Sequence, residues 1–339
     1  METKSNVKFR MQTDSELAPV LVSVYHRLYT LRHCIDALKA NPEAEDTDLY
    51  VVSDAAGRPQ DVGRVEEVRT YVRQITGFRS VTLIARPENW GASKSIGSAI
   101  RELLAKYGRL IFMEDDILPS RAYLSYMNQG LTIYENEPRV FAICGYKSRF
   151  RLPRNNSRDV FVLPRYSPWG SGLWAHKCCA VNREPGDWYA KLKQDKPEEF
   201  AFRQKYDPGF LAILKGDSEG RIKAGDVRVE THLIYSGQVC LYPSQTMTNV
   251  MNTDADAMHG GIRWIPDEPL ALRAPRDIGK ISLDCQKDIY KRFLIAKYPG
   301  RVKRWLNLLC SRGIVFTLKF LWIRIRGRDY GVPHGGGAE

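Results

Sequence analysis

The sequence predicts an α/β fold in which helices cover both faces of a mostly parallel β-sheet. Short apolar runs rich in β-branched residues alternate with amphipathic helical segments over residues 18–150. Acidic and polar segments follow directly after several of the strand-like runs. The 339 residues are 43% hydrophobic and 27% charged, which excludes a disordered or fibrous chain and suffices for one large or two ordinary domains.

Five strands and four helices are predicted in the first half of the chain. The strands cover residues 19–25, 48–53, 81–85, 110–113 and 140–144. Apolar residues at helical spacing predict helices over 30–40, 65–75, 93–107 and 123–134, with Gly108 as the stop of the third helix. In such sheets the ligand binds beyond the carboxyl ends of the strands. Asp54, segment 89–93 and residues 114–116 all fall at such ends.

The charge balance indicates an anionic partner. Lys and Arg number 51 against 39 Asp and Glu, so the formal net charge is +12. Nucleotides, phosphates, nucleic acids and acidic membranes are the partner classes that suit this excess.

The cysteines and the apolar runs restrict the cellular setting. Seven cysteines include no C-x-x-C pair, which argues against a disulfide framework or a zinc site and favours a reducing cytosol. Residues 1–19 lack an apolar core, so we expect no signal peptide. We also expect no ordinary transmembrane helix, because no run of 18 uncharged apolar residues occurs.

Three carboxylates, Glu114, Asp115 and Asp116, directly follow the fourth predicted strand. Repulsion and desolvation both oppose so much like charge in one place. A divalent cation removes that conflict, and Mg²⁺ or Mn²⁺ would bridge such oxygen ligands to a substrate diphosphate. A solvated turn is the alternative, but the strand before the triplet and the helix after it favour a metal site.

A second polar segment, residues 89–94, precedes the third helix. Asn89 and Lys94, with the free N–H groups of a helix N-terminus, suit a phosphate or a polar sugar group. Simple capping by Ser93 is the alternative interpretation.

Candidates in the second half are more scattered. His259 could complete a metal's coordination or contact a diphosphate, although a lone histidine is also often structural. Trp169 and Trp174 present faces that suit sugar stacking, and core packing explains them equally well. The candidate bases are Asp217, Glu219, Asp226 and Glu230.

Taken together, these residues resemble a metal-dependent glycosyltransferase with the GT-A fold. The similarity is to the N-acetylglucosaminyltransferase I type and its bacterial polysaccharide-synthesis, family 2-like relatives, and it spans residues 18–262. The first anchors are segments 24–27, 52–54, 86–91 and 113–116. The later anchors are segments 169–174, 226–243 and 258–260, with Gly225 standing where relatives often have Trp.

The resemblance implies roles for individual residues. The residues on the donor side would be Arg27, Asp54, Asn89, Lys94, Glu114 and Asp115. Asp116 would be the direct ligand of Mn²⁺ or Mg²⁺, with His259 near the metal or diphosphate, and Trp169 and Trp174 on the acceptor side. Asp226 would be the general base of an inverting transfer from a nucleotide-sugar donor, UDP-linked and with UDP-N-acetylglucosamine weakly favoured. The acceptor would be a glycan or lipid-linked glycan in surface polysaccharide synthesis.

The same resemblance suggests a division of the chain. Residues 1–17 are an N-terminal extension, 18–150 the nucleotide-sugar-binding half, and 151–275 the acceptor-side half of the same catalytic domain. Residues 276–330 form a basic helical segment and 331–339 a flexible tail.

Residues 301–328 hold eight Lys or Arg and no acid, among many apolar and aromatic residues. Such a helix suits an anionic membrane surface, and we expect a cytoplasmic protein peripheral on the inner face of the cell membrane. A terminal helix packed on the core is the alternative.

Two other function classes are compatible with parts of this sequence. A sugar-1-phosphate nucleotidylyltransferase is also an α/β enzyme with metal-binding carboxylates, but it would usually carry a Gly-rich basic loop near its first strand, and none is present. A non-enzymatic nucleic-acid-binding protein would explain the pI, yet the charge is concentrated in an apolar terminal segment and the acidic triplet would repel phosphate. We therefore expect no nucleic-acid partner.

Overall fold

The computed structural model describes residues 17–153, 159–181, 186–251, 268–276, 278–279, 281–285 and 287–297. Its strands are β1 (Val20–Val24), β2 (Asp48–Ser53), β3 (Ser80–Ala85), β4 (Arg109–Glu114), β5 (Ile117–Pro119), β6 (Val140–Cys144), β7 (Val160–Leu163), β8 (Ser171–Trp174), β9 (Val239–Pro243) and β10 (Thr248–Val250). Its α-helices are α1 (Leu28–Lys39), α2 (Val62–Val72), α3 (Ala92–Tyr107), α4 (Tyr123–Ile133), α5 (Ala175–Cys178), α6 (Trp188–Asp195), α7 (Pro197–Tyr206), α8 (Pro208–Ser218), α9 (Gly225–Ser236) and α10 (Lys287–Lys297).

One eight-stranded sheet organises these elements in the order β3-β2-β1-β4-β8-β6-β9-β7. β1, β2, β3 and β4 are parallel neighbours, and β6 is parallel to β9. β8 lies antiparallel between β4 and β6, and β7 is antiparallel to β9. A two-stranded ribbon of β5 and β10 lies beside the end of β4. The sheet is therefore mostly parallel, as the sequence predicts.

Alternate residues of the central strands enter two different cores. Val20 and Val22 of β1 pack on one face of the sheet, and Leu21 packs on the other. β4 shows the same alternation, with Ile111 on the first face and Phe112 on the second. Helices cover both faces, which is why these strands appear in the sequence as continuous apolar runs.

The predicted elements of the first half are confirmed with small shifts at their ends. β2 and β6 match the predicted bounds, and Gly108 ends α3 in the left-handed region at φ 75°. Helix α2 ends at Val72, earlier than predicted, because the Ile75 amide donates to the Val72 carbonyl in a tighter turn. Ile75 is nevertheless buried, which is why it looked like part of the helical stripe.

Helices α6 to α9 were not predicted from the sequence. Pro197 and Pro208 occupy the first turns of α7 and α8, where proline is tolerated because that N–H has no partner within the helix. Asp187 caps α6 by accepting from the Ala190 amide at 2.9 Å, and Asp207 caps α8 in the same way. The prolines therefore mark helix starts here.

Within residues 276–330, the structure describes one helix, α10, over Lys287–Lys297, whereas residues 281–285 are not helical. In α10, Phe293 and Leu294 are buried in the second core. Residues 301–328 lie outside the described residues. Among the helices that the structure describes, none has the length and apolar character needed to cross a bilayer.

Candidate functional site

The acidic triplet lies at the carboxyl edge of the sheet. Glu114 is the last residue of β4, and the Asp115 amide still donates to the Ser23 carbonyl of β1 at 3.0 Å. The Asp116 carbonyl accepts from the Met251 amide at 2.7 Å, just beyond β10. The backbone is thus fixed on both sides of the triplet, and the three carboxylates are held at one place.

Arg27 pairs with two of these carboxylates. It follows β1 and precedes α1, and its guanidinium pairs with both oxygens of Asp115 and with Oδ2 of Asp116 at 3.1 Å. Thr30 Oγ1 donates to Asp115 Oδ2 at 2.9 Å. Both oxygens of Asp115 are therefore occupied from within the protein. The role of Arg27 that the structure shows is to hold Asp115 and Asp116.

Asp116 Oδ1 is the oxygen that remains available. It is buried and has no hydrogen-bond partner among the described residues. An orphaned, buried carboxylate oxygen is costly unless a cation or donor reaches it, and a hard divalent metal is a suitable ligand. The described residues include no group of three or more His, Cys, Asp or Glu side chains placed to hold a metal. Asp116 fits as one metal ligand, and the other predicted ligand, His259, lies outside the described residues.

Burial and mutual repulsion make two of the carboxylates weak acids. Desolvation, with the charges of Asp116 and Asp115, raises the pKa of Glu114 to about 7. Desolvation also raises the pKa of Asp115 to about 6, although Arg27 and Thr30 oppose the shift. The charge of Asp226 contributes to the shift at Glu114, so the two carboxylates are electrostatic neighbours.

A cleft of about 450 Å³ brings Glu114 and Asp226 together. Glu114 lies on one wall at the end of β4, and Asp226 lies in the first turn of α9. Ala92 and Ser93, the first two residues of α3, line the same cleft. The cleft therefore combines a helix N-terminus, which favours anions, with carboxylates from separate elements.

The predicted loop after β3 is bound to the loop after β2. Asp54 Oδ1 accepts from the Ala55 and Trp90 amides, both at 3.0 Å, and Asn89 Nδ2 donates to the Ala55 carbonyl at 2.7 Å. Lys94 Nζ lies 4.6 Å from the centre of the Trp90 ring. Asp54 and Asn89 thus stabilise the loop in front of α3. Neither they nor Lys94 belong to the described lining of the cleft.

The two predicted acceptor-side tryptophans have different environments. Trp169 is partly exposed on the cleft wall, with its ring edge-on to Tyr146 at 4.7 Å. Trp174 is fully buried, and its Nε1 donates to the Leu131 carbonyl at 3.1 Å. The prediction for Trp174 is corrected, because its ring has no exposed face and serves the core.

Sequence reasoning did not identify the charged network below the cleft. Arg165 pairs with Asp207 and with Glu230 at 3.0 Å, and the fully buried Arg203 pairs with the same two acids. Arg165 and Glu230 also line the cleft. The network connects α9, which carries Asp226, to α7 and to the segment after β7. Glu230 lies four residues after Asp226, and this helical spacing was the available signal.

Comparison with known proteins gives only distant structural similarities. No family profile matches the sequence, and no curated protein matches it. A mannosyltransferase, PcManGT from Pyrobaculum calidifontis in complex with GDP-Man and Mn²⁺, shares 14% identity at a TM-score of 0.34, over 65% of this chain and 74% of that one. Residues 1–349 of TarS from S. aureus share 12% identity at a TM-score of 0.37, over 69% of this chain and 60% of that one. The same TarS fragment in complex with UDP-GlcNAc shares 13% identity at a TM-score of 0.30, over 45% of this chain.

Proposed function

We propose that this protein is a metal-dependent inverting glycosyltransferase. It would transfer a sugar from a nucleotide-sugar donor to a hydroxyl group of a glycan or lipid-linked glycan. One observation carries the proposal: Glu114 and Asp226 line the same cleft at the carboxyl edge of the sheet, beside the Arg27-bound aspartates. A metal-binding corner, an anion-favouring helix N-terminus and a separate exposed carboxylate are the parts that this reaction requires.

Asp226 acts as the general base. Its side chain is exposed in the first turn of α9 and lines the cleft, where an acceptor hydroxyl can reach it. It accepts the proton of the acceptor hydroxyl while that oxygen forms its bond to the anomeric carbon. The bond between this carbon and the diphosphate oxygen breaks, and its electron pair leaves with the nucleoside diphosphate. Attack from the face opposite the leaving group inverts the anomeric centre. Such proton transfer contributes about 10²–10⁴ in rate.

Asp116 would hold the metal through Oδ1, the oxygen that Arg27 leaves available. When bound, Mn²⁺ or Mg²⁺ neutralises the charge that develops on the departing diphosphate. Arg27 and Asp115 fix the orientation of the Asp116 carboxylate. Glu114, which lines the cleft, would hydrogen-bond a hydroxyl group of the donor sugar. The resemblance to the N-acetylglucosaminyltransferase I type favours UDP-N-acetylglucosamine as the donor.

A donor screen tests the proposal. Purified protein is incubated with UDP-, GDP- and dTDP-sugars, with Mn²⁺ or with EDTA, and release of nucleoside diphosphate is measured. We expect release from one donor class that depends on Mn²⁺. We also expect Asp116→Asn to lower this release at least 100-fold. Glu66→Gln is the control and should have no effect, because Glu66 is 55% exposed on α2 and does not line the cleft. In a parallel reaction with added pyrophosphate, formation of a nucleoside triphosphate and a sugar 1-phosphate would instead indicate a nucleotidylyltransferase.

The base assignment has its own test. Asp226→Asn keeps the shape of the side chain but cannot accept the proton. We expect it to bind the nucleotide-sugar with wild-type affinity and to lose transfer by about 10²–10⁴. A wild-type transfer rate would contradict the assignment of Asp226.

A further inference from the structure

A second concave surface lies between helices α6 and α9. Its volume is about 190 Å³. The lining residues, defined here as the α6/α9 groove, are Trp188, Lys191, Arg228, Thr231, His232 and Tyr235. None of these six residues has a role in the proposed transfer reaction.

The α6/α9 groove is separate from the cleft because the two use opposite faces of α9. Thr231, His232 and Tyr235 follow Arg228 at three, four and seven positions, so they share one helical face. Asp226 and Glu230 lie on the face turned toward the cleft. At 100° per residue the two faces are on opposite sides of the helix. A ligand in the groove would therefore not compete with one in the cleft.

Two aromatic rings form the apolar part of the groove. The Trp188 and Tyr235 centroids are 6.2 Å apart, with their planes at 69°. The Tyr235 hydroxyl donates to Asp195 Oδ2 at 3.3 Å, which helps to fix its ring. Partly exposed aromatic rings with a polar end are well suited to a ligand that is apolar on one face and polar at its edges. A sugar ring has this character.

The polar part of the groove carries positive charge. Lys191 Nζ lies 5.0 Å from the Trp188 centroid and 5.6 Å from the Tyr235 centroid. Lys196 Nζ adds a further cation 5.9 Å from Tyr235. Arg228 is held by Asp217 through hydrogen bonds of 2.8 and 3.2 Å, which offset its charge, so Lys191 is the lining residue on which the charge argument depends. The charge is complementary to an anionic group beside the ring.

Several of these side chains are already fixed in place. Besides Arg228 and Tyr235, His232 Nε2 bonds to the Gln238 side chain at 3.0 Å, and Thr231 Oγ1 donates to the Val227 carbonyl at 2.9 Å. Binding would then require ordering mainly of Lys191. Preorganisation of this kind lowers the entropic cost of binding.

We propose that the α6/α9 groove is a binding site for a negatively charged sugar unit, such as a uronic acid. The ring stacks on Trp188 and Tyr235, and the anionic substituent meets Lys191. The proposed function supplies the source of such a unit, which is the acceptor glycan, and to that extent the inference rests on it. The site would retain an acidic polymer beside the enzyme without occupying the cleft.

Equilibrium binding tests the proposal. The probe is a tetrasaccharide of alternating glucuronate and N-acetylhexosamine. The matched neutral ligand is the same tetrasaccharide with its carboxylates reduced to hydroxymethyl groups. We expect saturable binding of the charged probe and at least tenfold lower affinity for the neutral one. Added salt should lower the affinity for the charged probe. Glucose 6-phosphate, as a further ligand, distinguishes a general anion preference from a carboxylate preference. Equal binding of the charged and neutral tetrasaccharides would overturn the proposal.

Variants on one helix provide the control. We expect Lys191→Gln and Trp188→Ala each to lower the affinity for the charged probe at least tenfold. Lys193→Gln removes an equal charge two residues away on α6, outside the groove, and is expected to leave the affinity unchanged. Wild-type affinity in Lys191→Gln would overturn the proposal even if Trp188→Ala failed to fold. Nucleoside diphosphate release is measured on the same samples. If the probe binds but no nucleoside diphosphate is released, the proposed transferase activity is refuted and the groove proposal stands. If nucleoside diphosphate is released but the probe does not bind, the groove proposal is refuted and the transferase activity stands.

Discussion

At the scale of single residues, Arg27 determines the state of the acidic triplet. Its guanidinium occupies three of the four oxygens of Asp115 and Asp116 together with Thr30. Asp115 is 4% exposed, so its charge has little access to water. A buried carboxylate without a partner is far more costly than an exposed one. Arg27 thus allows the triplet to fold before any metal arrives.

Replacing Arg27 should therefore destabilise the metal-free protein strongly. For Arg27→Met we expect a loss of roughly 3–5 kcal/mol, because Asp115 and Asp116 lose their buried cation. Mn²⁺ should restore part of the loss by binding the folded state. Urea unfolding with EDTA or Mn²⁺ measures both effects. Arg221→Met, at a side chain that is 62% exposed and pairs with the exposed Glu219, is the control and should cost about 1 kcal/mol or less. An equally small loss of unfolding free energy for Arg27→Met would contradict the stabilising role of Arg27 beside Asp115 and Asp116.

The weak acidity of Glu114 predicts a pH dependence of stability. Its pKa in the folded protein is about 7, above the ordinary 4.5, so between these values the folded chain keeps a proton that the unfolded chain has released. The free energy of unfolding therefore falls as the pH rises from 4.5 to 7, by up to about 3 kcal/mol from this group, and then stays constant.

Glu114→Gln isolates that contribution. In EDTA, this variant should lose most of the slope of unfolding free energy against pH between 6 and 7, above the pKa of about 6 of Asp115, whereas Glu66→Gln should keep it. Chemical denaturation at a series of pH values measures the slope. An unchanged slope in Glu114→Gln would show that the carboxyl is not desolvated.

The residue types of the site were predictable, but their partners were not. Three carboxylates after a buried strand indicated a charge conflict, and that conflict is present at the end of β4. What resolves it within the chain is Arg27, which lies 88 residues before Asp115, and no local pattern links the two. Trp174 failed as a site residue for a related reason. A tryptophan beside glycines is compatible with stacking and with burial, and only the position of Leu131 decides between them.

At the scale of elements, α9 has several different surfaces. Its first turn presents Asp226 to the cleft, and one turn later Glu230 joins the buried network of Arg165, Arg203 and Asp207. The opposite side forms the α6/α9 groove. The network therefore sets the position of Asp226 by fixing the helix that carries it.

Breaking the network should loosen the second half of the chain. Arg203 is fully buried, and Arg203→Met leaves Asp207 and Glu230 with less cationic compensation. We expect a loss of roughly 3–5 kcal/mol in unfolding free energy. Arg221→Met is the matched control, since Arg221 is 62% exposed and pairs with the exposed Glu219, so it should cost about 1 kcal/mol or less. Equal losses in the two variants would contradict the network's structural importance.

Elements with a clear hydrophobic pattern in the sequence were predictable, and elements that depend on tertiary contacts were not. The parallel strands are buried on both faces and therefore appear as apolar runs, so β1, β2 and β6 were found within one residue. Helices α6 to α8 are only 8 to 11 residues long and pack on a small separate core around Leu192 and Leu214. Pro197 and Pro208 occupy the starts of α7 and α8.

At the scale of the whole molecule, the net charge of +12 is unevenly distributed along the sequence, with eight basic residues in 301–328. We propose that this segment binds anionic lipid on the cytoplasmic face of the membrane. Arg312, Lys319 and Arg326, which lie outside the described residues, are spaced by seven residues in the sequence.

Vesicle sedimentation tests that proposal. Changing Arg312, Lys319 and Arg326 together to Gln should weaken binding to vesicles containing phosphatidylserine by about 3 kcal/mol, or roughly two orders of magnitude, at about 1 kcal/mol per charge. The control removes three exposed charges elsewhere, at Lys193, Lys205 and Lys215. Equal effects of the two triple variants would show that only net charge matters.

The insertion of β8 between β4 and β6 has a consequence for biosynthesis. A nascent chain that has left the ribosome only as far as residue 150 contains β4 and β6, but it lacks the strand that joins them. Until β8 emerges, β4 presents a bare edge, which is a template for intermolecular pairing. Lys177 then follows and donates to the Tyr134, Glu137 and Val140 carbonyls at 2.7, 3.0 and 2.7 Å, which closes the turn before β6. The β4 edge is therefore covered, and joined to β6, only after residues 171–174 have emerged.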